Sequence, residues 1–118
     1  MSTTTTSKIA ELNDRFRKAT GSSDPAGISL GKKVMTSGIQ TVGLLATVEI
    51  AERVAAFDSF TEDNDPHGEH DFGSFDYEGR GIFWKIDYYD RDMELMSPDP
   101  ADPSVTTRVL TVMLADEY

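Results

Sequence analysis

The sequence predicts an α+β domain: a small antiparallel sheet of three to four strands with helices packed on one face. Three observations support this. Residues 82–89 (IFWKIDYY) alternate, with Ile82, Trp84, Ile86 and Tyr88 on one side and Phe83, Lys85, Asp87 and Tyr89 on the other, which is the period-two pattern of a strand. Residues 72–77 alternate as well, and Glu78-Gly79-Arg80-Gly81 between them is a hairpin turn with two glycines. Apolar residues recur at helical spacing both before and after this pair. Meandering strands flanked by helices imply one sheet with helices on one face.

The elements follow in order. Residues 1–7 (MSTTTTS) read as a short disordered lead, and residues 8–118 as a single domain, the size at which one core suffices without staples. Residues 7–19 predict a first helix with Ile9, Leu12 and Phe16 in one stripe, Ser7 as N-cap, and Arg15, Arg17 and Lys18 where the helix dipole favours cations. Residues 21–31 are dense in turn formers and predict a loop. Residues 32–37 predict a short strand, and residues 41–57 a second helix. Its broad apolar face of Leu44, Leu45, Val48, Ala51, Val54 and Ala55 predicts deep burial across the sheet. Residues 58–71 form a long polar loop, and residues 93–96 allow a third hairpin strand. The prolines of residues 97–104 (SPDPADPS) predict a stiff extended linker. It ends in Asp102 as N-cap and Pro103 at the first position of a last helix reaching about Asp116, striped by Val105, Val109, Val112 and Met113.

Composition narrows the function. There is no cysteine, so disulfides and thiolate metal sites are excluded, which fits a reducing, cytoplasmic setting. No apolar run approaches the roughly 20 residues of a membrane span, and the N-terminus lacks the basic-then-apolar order of a secretory signal. The formal net charge is −10 and it is unevenly placed: residues 1–57 carry a net +2 and residues 58–118 a net −12. So acidic a half repels nucleic-acid phosphates and attracts basic protein surfaces or divalent cations. It also serves simple solubility.

The candidate functional residues cluster in residues 57–90, which hold both histidines and the only tryptophan. His67, Glu69, His70 and Asp71 group imidazoles and carboxylates within five residues, suitable chemistry for zinc, manganese or iron, with His67 and His70 as the metal candidates. Their spacing is not that of a metalloprotease helix, and the plainer expectation is that the histidines tie the loop down by hydrogen bonds. Asp63, Asn64 and Asp65 do not meet the calcium-loop spacing. Trp84 belongs with the core, whereas Phe83, Lys85 and Tyr89 suit a surface patch, tyrosine being a strong interface anchor. A Lys85–Asp87 ion pair is expected there. No nucleophile motif and no phosphate-binding glycine loop is present.

The blocks TEDNDPHGEHDFG (residues 61–73), FWKIDYYD (83–90), SPDPADP (97–103), RVLTVMLADEY (108–118) and IAELNDRFR (9–17) resemble a bacterial family, domain-of-unknown-function 3768. The resemblance runs over nearly the whole chain from Ile9 onward and is weakest over residues 20–35. It implies small soluble proteins found near mobile genetic elements, with no known reaction and no catalytic residues to carry over. The expectation is a non-enzymatic, acidic interaction protein without a cofactor. It would act as a mobile-element inhibitor of anti-CRISPR or antirestriction type, presenting a DNA-mimic surface to the basic protein surface of a nucleic-acid-binding complex rather than to nucleic acid itself. Asp63, Asp65, Glu69, Asp71, Lys85, Asp87, Tyr89, Asp90 and Asp92 are the partner-binding candidates. The alternative is a metal-dependent enzyme using the loop of His67, Glu69, His70 and Asp71.

Overall fold

A computed structural model describes residues 3–19 and 30–118. The elements are α1 (Thr3–Lys18), β1 (Gly31–Met35), α2 (Ser37–Gln40), α3 (Leu44–Ala56), β2 (Phe72–Tyr77), β3 (Arg80–Tyr89) and β4 (Thr107–Leu114). Two single-turn 3-10 helices, Pro103–Val105 and Ala115–Glu117, flank β4. The four strands form one sheet in the order β1-β4-β3-β2. The β2–β3 and β3–β4 pairs are antiparallel, as expected, whereas β1 runs parallel to β4 and makes the sheet mixed. The fold is α+β.

The hairpin is where the alternation placed it. Glu78 and Gly79, both at positive φ (50° and 84°), make its two-residue turn, and the Asp76 carboxylate accepts from the Gly79 N–H at 3.0 Å. On the helix-covered side, Ile82, Trp84 and Ile86 of β3 join Leu110 and Val112 of β4, with Leu12 and Phe16 of α1 and Ala46, Ile50 and Val54 of α3. Trp84 is fully buried, with Phe57 edge-on at 5.5 Å. Gly73 lies opposite it on β2, so close that a Cβ would stand 2.4 Å from the indole nitrogen.

The structure corrects the expected last helix. Residues 107–114 are β4, the strand between β1 and β3. The stripe at helical spacing misled because Arg108 interrupts the period-two pattern. Thr106, Arg108, Leu110 and Val112 are all buried, and the segment is rich in β-branched residues, which favour strands. Asp102 does cap, its carboxylate accepting from the Ser104 N–H at 2.9 Å, but the helix it opens at Pro103 lasts one turn.

The expected second helix is α3, which starts at Leu44, after Gly43 at φ 119°; a separate single turn, α2, precedes it where the expected strand ends, capped by Thr36, which accepts from the Ile39 N–H. The broad apolar face of α3 is only half buried. The core takes Ala46, Ile50 and Val54, while Leu44 (83% exposed), Leu45 (71%) and Val48 (48%) face solvent. Residues 93–96 contribute one bridge, Met96 to Tyr89, rather than a strand. The first helix starts at Thr3, so Ser7 lies inside it rather than capping it, and it takes in most of the stretch expected as a disordered lead. The turn-rich segment expected over residues 21–31 lies for the most part outside the described residues.

The Gly73–Trp84 contact yields a test. Gly73→Ala is expected to destabilise the domain by about 1–3 kcal/mol through overpacking. In a Trp84→Leu background the same substitution should cost much less. A double-mutant cycle in denaturant measures the difference, and full additivity would mean the two sites are not in contact.

Candidate interaction surfaces

Residues 57–71 lie against α1 and β3, and buried polar groups hold them there. Asp65 is 8% exposed; its carboxylate accepts from the backbone N–H groups of Glu69 (3.1 Å) and His70 (3.2 Å). His70 sits at φ 57°, stacks on Phe60 with ring centroids 4.0 Å apart, and places Nδ1 3.0 Å from Asp14 of α1. Asp14 in turn accepts from Arg17 at 2.9 Å. Arg17 is buried, and its fork donates to the Val54 and Ala55 carbonyls, both at 2.9 Å, at the C-terminal end of α3 where a cation opposes the helix dipole.

A second network crosses the core behind this loop. Asn13 and Arg108 are both fully buried. Arg108 donates from Nε to the Asn13 amide oxygen at 2.6 Å and from a terminal nitrogen to the Pro100 carbonyl at 2.6 Å. Asn13 donates to the Glu69 carbonyl (2.9 Å) and to the Tyr88 hydroxyl (2.8 Å), and that hydroxyl donates to the Glu69 carboxylate (2.9 Å). Burial holds the Arg108 guanidinium below its ordinary pKa and pushes the Tyr88 phenol up. Burial, reinforced by the Glu69 carboxylate, holds Asp71 above the ordinary carboxylate value.

These contacts settle where the sequence candidates lie. His70 is built into the loop and His67 is exposed; among the described residues no group of three or more His, Asp or Glu stands close enough together to hold a metal ion. Asp65 is inside, and Glu69 and Asp71 are half-buried, Glu69 in the network just described. Asp63 and Asp92 are exposed, and Asp90 caps the turn after β3 by accepting from the Glu94 N–H at 3.1 Å.

Lys85, Asp87 and Tyr89 lie on the sheet face turned away from α1 and α3, because the buried residues of β3 are those between them. Lys85 and Asp87 are paired at 3.0 Å. Phe83 and Phe72 share that face with Tyr118, the three rings edge-to-face at 5.3–6.1 Å. Phe83 and Tyr89 were readable from alternation; Phe72 and Tyr118 join them through strand register and chain return.

Sequence reasoning missed Asn13, Arg17 and Arg108, polar residues whose burial only the packing reveals. Arg108 within an apolar strand was the one available signal. A cleft of about 510 Å³ beside His70, lined also by Ser7, Asp14 and Lys18, is wide open to solvent. The His70 Nε2 points toward the buried Asp65 at 3.8 Å, which suits an anchor of the loop.

The sequence matches the family described as protein of unknown function (DUF3768) over residues 35–117. The chain belongs to that family. The matched region spans α2, α3 and the β2–β3–β4 meander and leaves out α1. No curated protein and no solved structure matches the chain. Among the described residues no helix is long and apolar enough to cross a membrane.

Two outcomes follow for these networks. Asn13→Leu leaves the buried Arg108 without its Nε acceptor and should cost about 3–5 kcal/mol, read by urea unfolding; a loss under about 1 kcal/mol would mean Arg108 is held elsewhere. For Asp71, the folded-state pKa lies above the unfolded one. The folded state therefore keeps the proton longer, and stability falls as pH rises from the ordinary carboxylate value through the raised one. Asp71→Asn should thus be more stable than the parent at neutral pH, with the gap closing on acidification below about pH 4. Thermal melts at both pH values decide it.

Proposed function

We propose that this protein is a non-enzymatic interaction protein whose acidic half docks on the basic surface of a nucleic-acid-binding protein complex. The observation that supports this best is the open sheet face. It is made mostly by residues of the −12 half, with Lys32 and Val34 of β1 along one margin; it carries Phe72, Phe83, Tyr89 and Tyr118, and its Lys85 is paired internally with Asp87. A face of aromatic rings and carboxylates suits arginine-rich partners, since guanidinium stacks on rings and pairs with carboxylates. The exposed carboxylates of Asp63, Asp92 and Glu94 extend the same sign beyond the face. In this reading the protein competes with nucleic acid for a basic groove, the way an inhibitor of a host defence system of anti-CRISPR or antirestriction type would act. The His70–Asp14 pair borders a cleft that is wide open to solvent, and His70 is also turned toward Asp65, an arrangement that suits anchoring the loop.

The test uses tagged protein and a bacterial lysate. A nucleic-acid-binding complex should be retained at low salt, released at high salt, and displaced by added double-stranded DNA, as screened electrostatic association requires. Asp63→Lys with Asp92→Lys should slow its association at least several-fold, with stability within about 0.5 kcal/mol of the parent because both sites are exposed. Tyr89→Ala should act mainly on dissociation. Capture that ignores both salt and the DNA competitor would sink the proposal.

A further inference from the structure

The free flank of α3 and the free edge of β1 border one groove of about 500 Å³, lined among others by Lys18, Lys33, Met35, Val48, Ala51 and Ala55. The residues Leu44, Val48, Ala51 and Ala55 recur at i, i+4, i+7 and i+11 and form a stripe beside the core stripe of Ala46, Ile50 and Val54. The opposite flank of α3 is occupied: Glu49 accepts from the Tyr77 hydroxyl at 2.5 Å, and Arg53 donates to the Asp76 carbonyl at 2.6 Å, both on β2. No such partner covers the Leu44–Val48 side among the described residues, and Leu44 and Leu45 are the most exposed aliphatic residues of α3. A solvated apolar patch of this kind on a charged protein marks a binding site.

Across the groove, β1 offers hydrogen bonds. Among the described residues it is an edge strand, paired only with β4. Arg108 N–H donates to the Leu30 carbonyl and Thr36 N–H donates to the Val112 carbonyl, so the even-numbered residues of this segment bond to β4. Alternation then turns the N–H and C=O groups of Lys33 and Met35 to the open edge, Gly31 pointing the same way but being buried. The Gln40 side chain already donates to the Met35 carbonyl at 3.0 Å, which agrees with that direction.

The charge of this groove is opposite to that of the molecule. Among the described residues Lys18 and Lys33 line it against one acid, Glu52, with the buried, Asp14-paired Arg17 beneath, in a chain of net charge −10. The Lys33 ammonium donates to the Ala19 carbonyl at the end of α1 and lies 5.5 Å from the centre of the Phe16 ring. Burial, with Arg17 nearby, holds its pKa below the ordinary lysine value, so an added carboxylate would relieve a cost already present.

We infer that the groove between α3 and β1 is a docking site for an extended, acidic and apolar segment of a partner protein, which adds to the β1 edge as a further strand. Backbone bonds to Lys33 and to the Met35 N–H supply the docking, alternate aliphatic side chains fill the space beside Val48 and Ala51, and acidic side chains meet Lys18 and Lys33. The site is distinct from the acidic sheet face and stands whether or not that face binds a basic partner.

The experiment presents the intact protein to a displayed library of random peptides and characterises the binders by calorimetry and amide exchange. Binders should alternate aliphatic residues with Asp or Glu. Val48→Glu should weaken them about tenfold or more, and Lys18→Glu should weaken the acidic ones selectively. Both sites are solvent-exposed, so the variants should melt with the parent. N-methylation of alternate peptide amides should abolish binding, and bound peptide should slow exchange at the Lys33 and Met35 amides. A library that yields no binder, or only binders indifferent to Val48→Glu, overturns the inference. So does slow exchange at those amides in the free protein, which would mean the edge is already covered. A self-associated parent that Val48→Glu converts to monomer would assign the groove to a second copy of the chain and overturn the inference equally.

Discussion

The hydrogen bond from Arg108 to Asn13 joins side chains 95 positions apart in the chain, and the remaining architecture depends on it. It fixes α1 to the strand in the middle of the sheet. An arginine at a core position demands that its charge be answered, because an unpaired buried charge costs several kcal/mol. Here no carboxylate touches it. Asn13 and Tyr88 relay its field to Glu69, which anchors the loop before β2. Arg17 performs the same office one helical turn later, joining α1 to the C-terminal end of α3 and, through Asp14, to His70. Three segments distant in sequence are thus positioned by two arginines rather than by apolar packing alone.

The burial of those arginines bears on the surface. Of the chain's eleven lysines and arginines, Arg17 and Arg108 are withdrawn from solvent, and Lys85 is neutralised in place by Asp87. The face seen by a partner is therefore more acidic than the formal charge states. What positive character remains exposed is largely gathered toward α1 and β1, so the molecule is polarised between its two flanks.

How much of this was legible in the sequence differs by element. The β2–β3 hairpin was read correctly because its alternation is unbroken and its turn carries the glycine that positive φ favours. Trp84 was placed in the core by the same alternation. β4 was taken for a helix because a buried arginine hides among its inward residues, and local periodicity cannot tell a satisfied charge from a solvent-facing one. α3 was recognised as helical but its apolar face was taken as one surface, whereas it is two stripes, of which the sheet covers only one. That His70 ties the loop down was anticipated, but its partner and the burial of Asp65 were out of reach for another reason. Their partners, Asp14 and the loop's own backbone, are set by a fold that brings α1 against residues 57–71.

The parallel pairing of β1 with β4 has a consequence for how the chain reaches this state. The sheet cannot be laid down in the order of synthesis. β1 leaves the ribosome early yet has no strand to join until residues 107–114 follow, and β4 must enter between two elements already made. Until then the β2–β3 hairpin is the only part of the sheet able to close locally, and Trp84 has only part of its final packing. Folding therefore waits on one late, non-local insertion, the kind of step that slows a small domain and lengthens the time its apolar surfaces stay open to other chains.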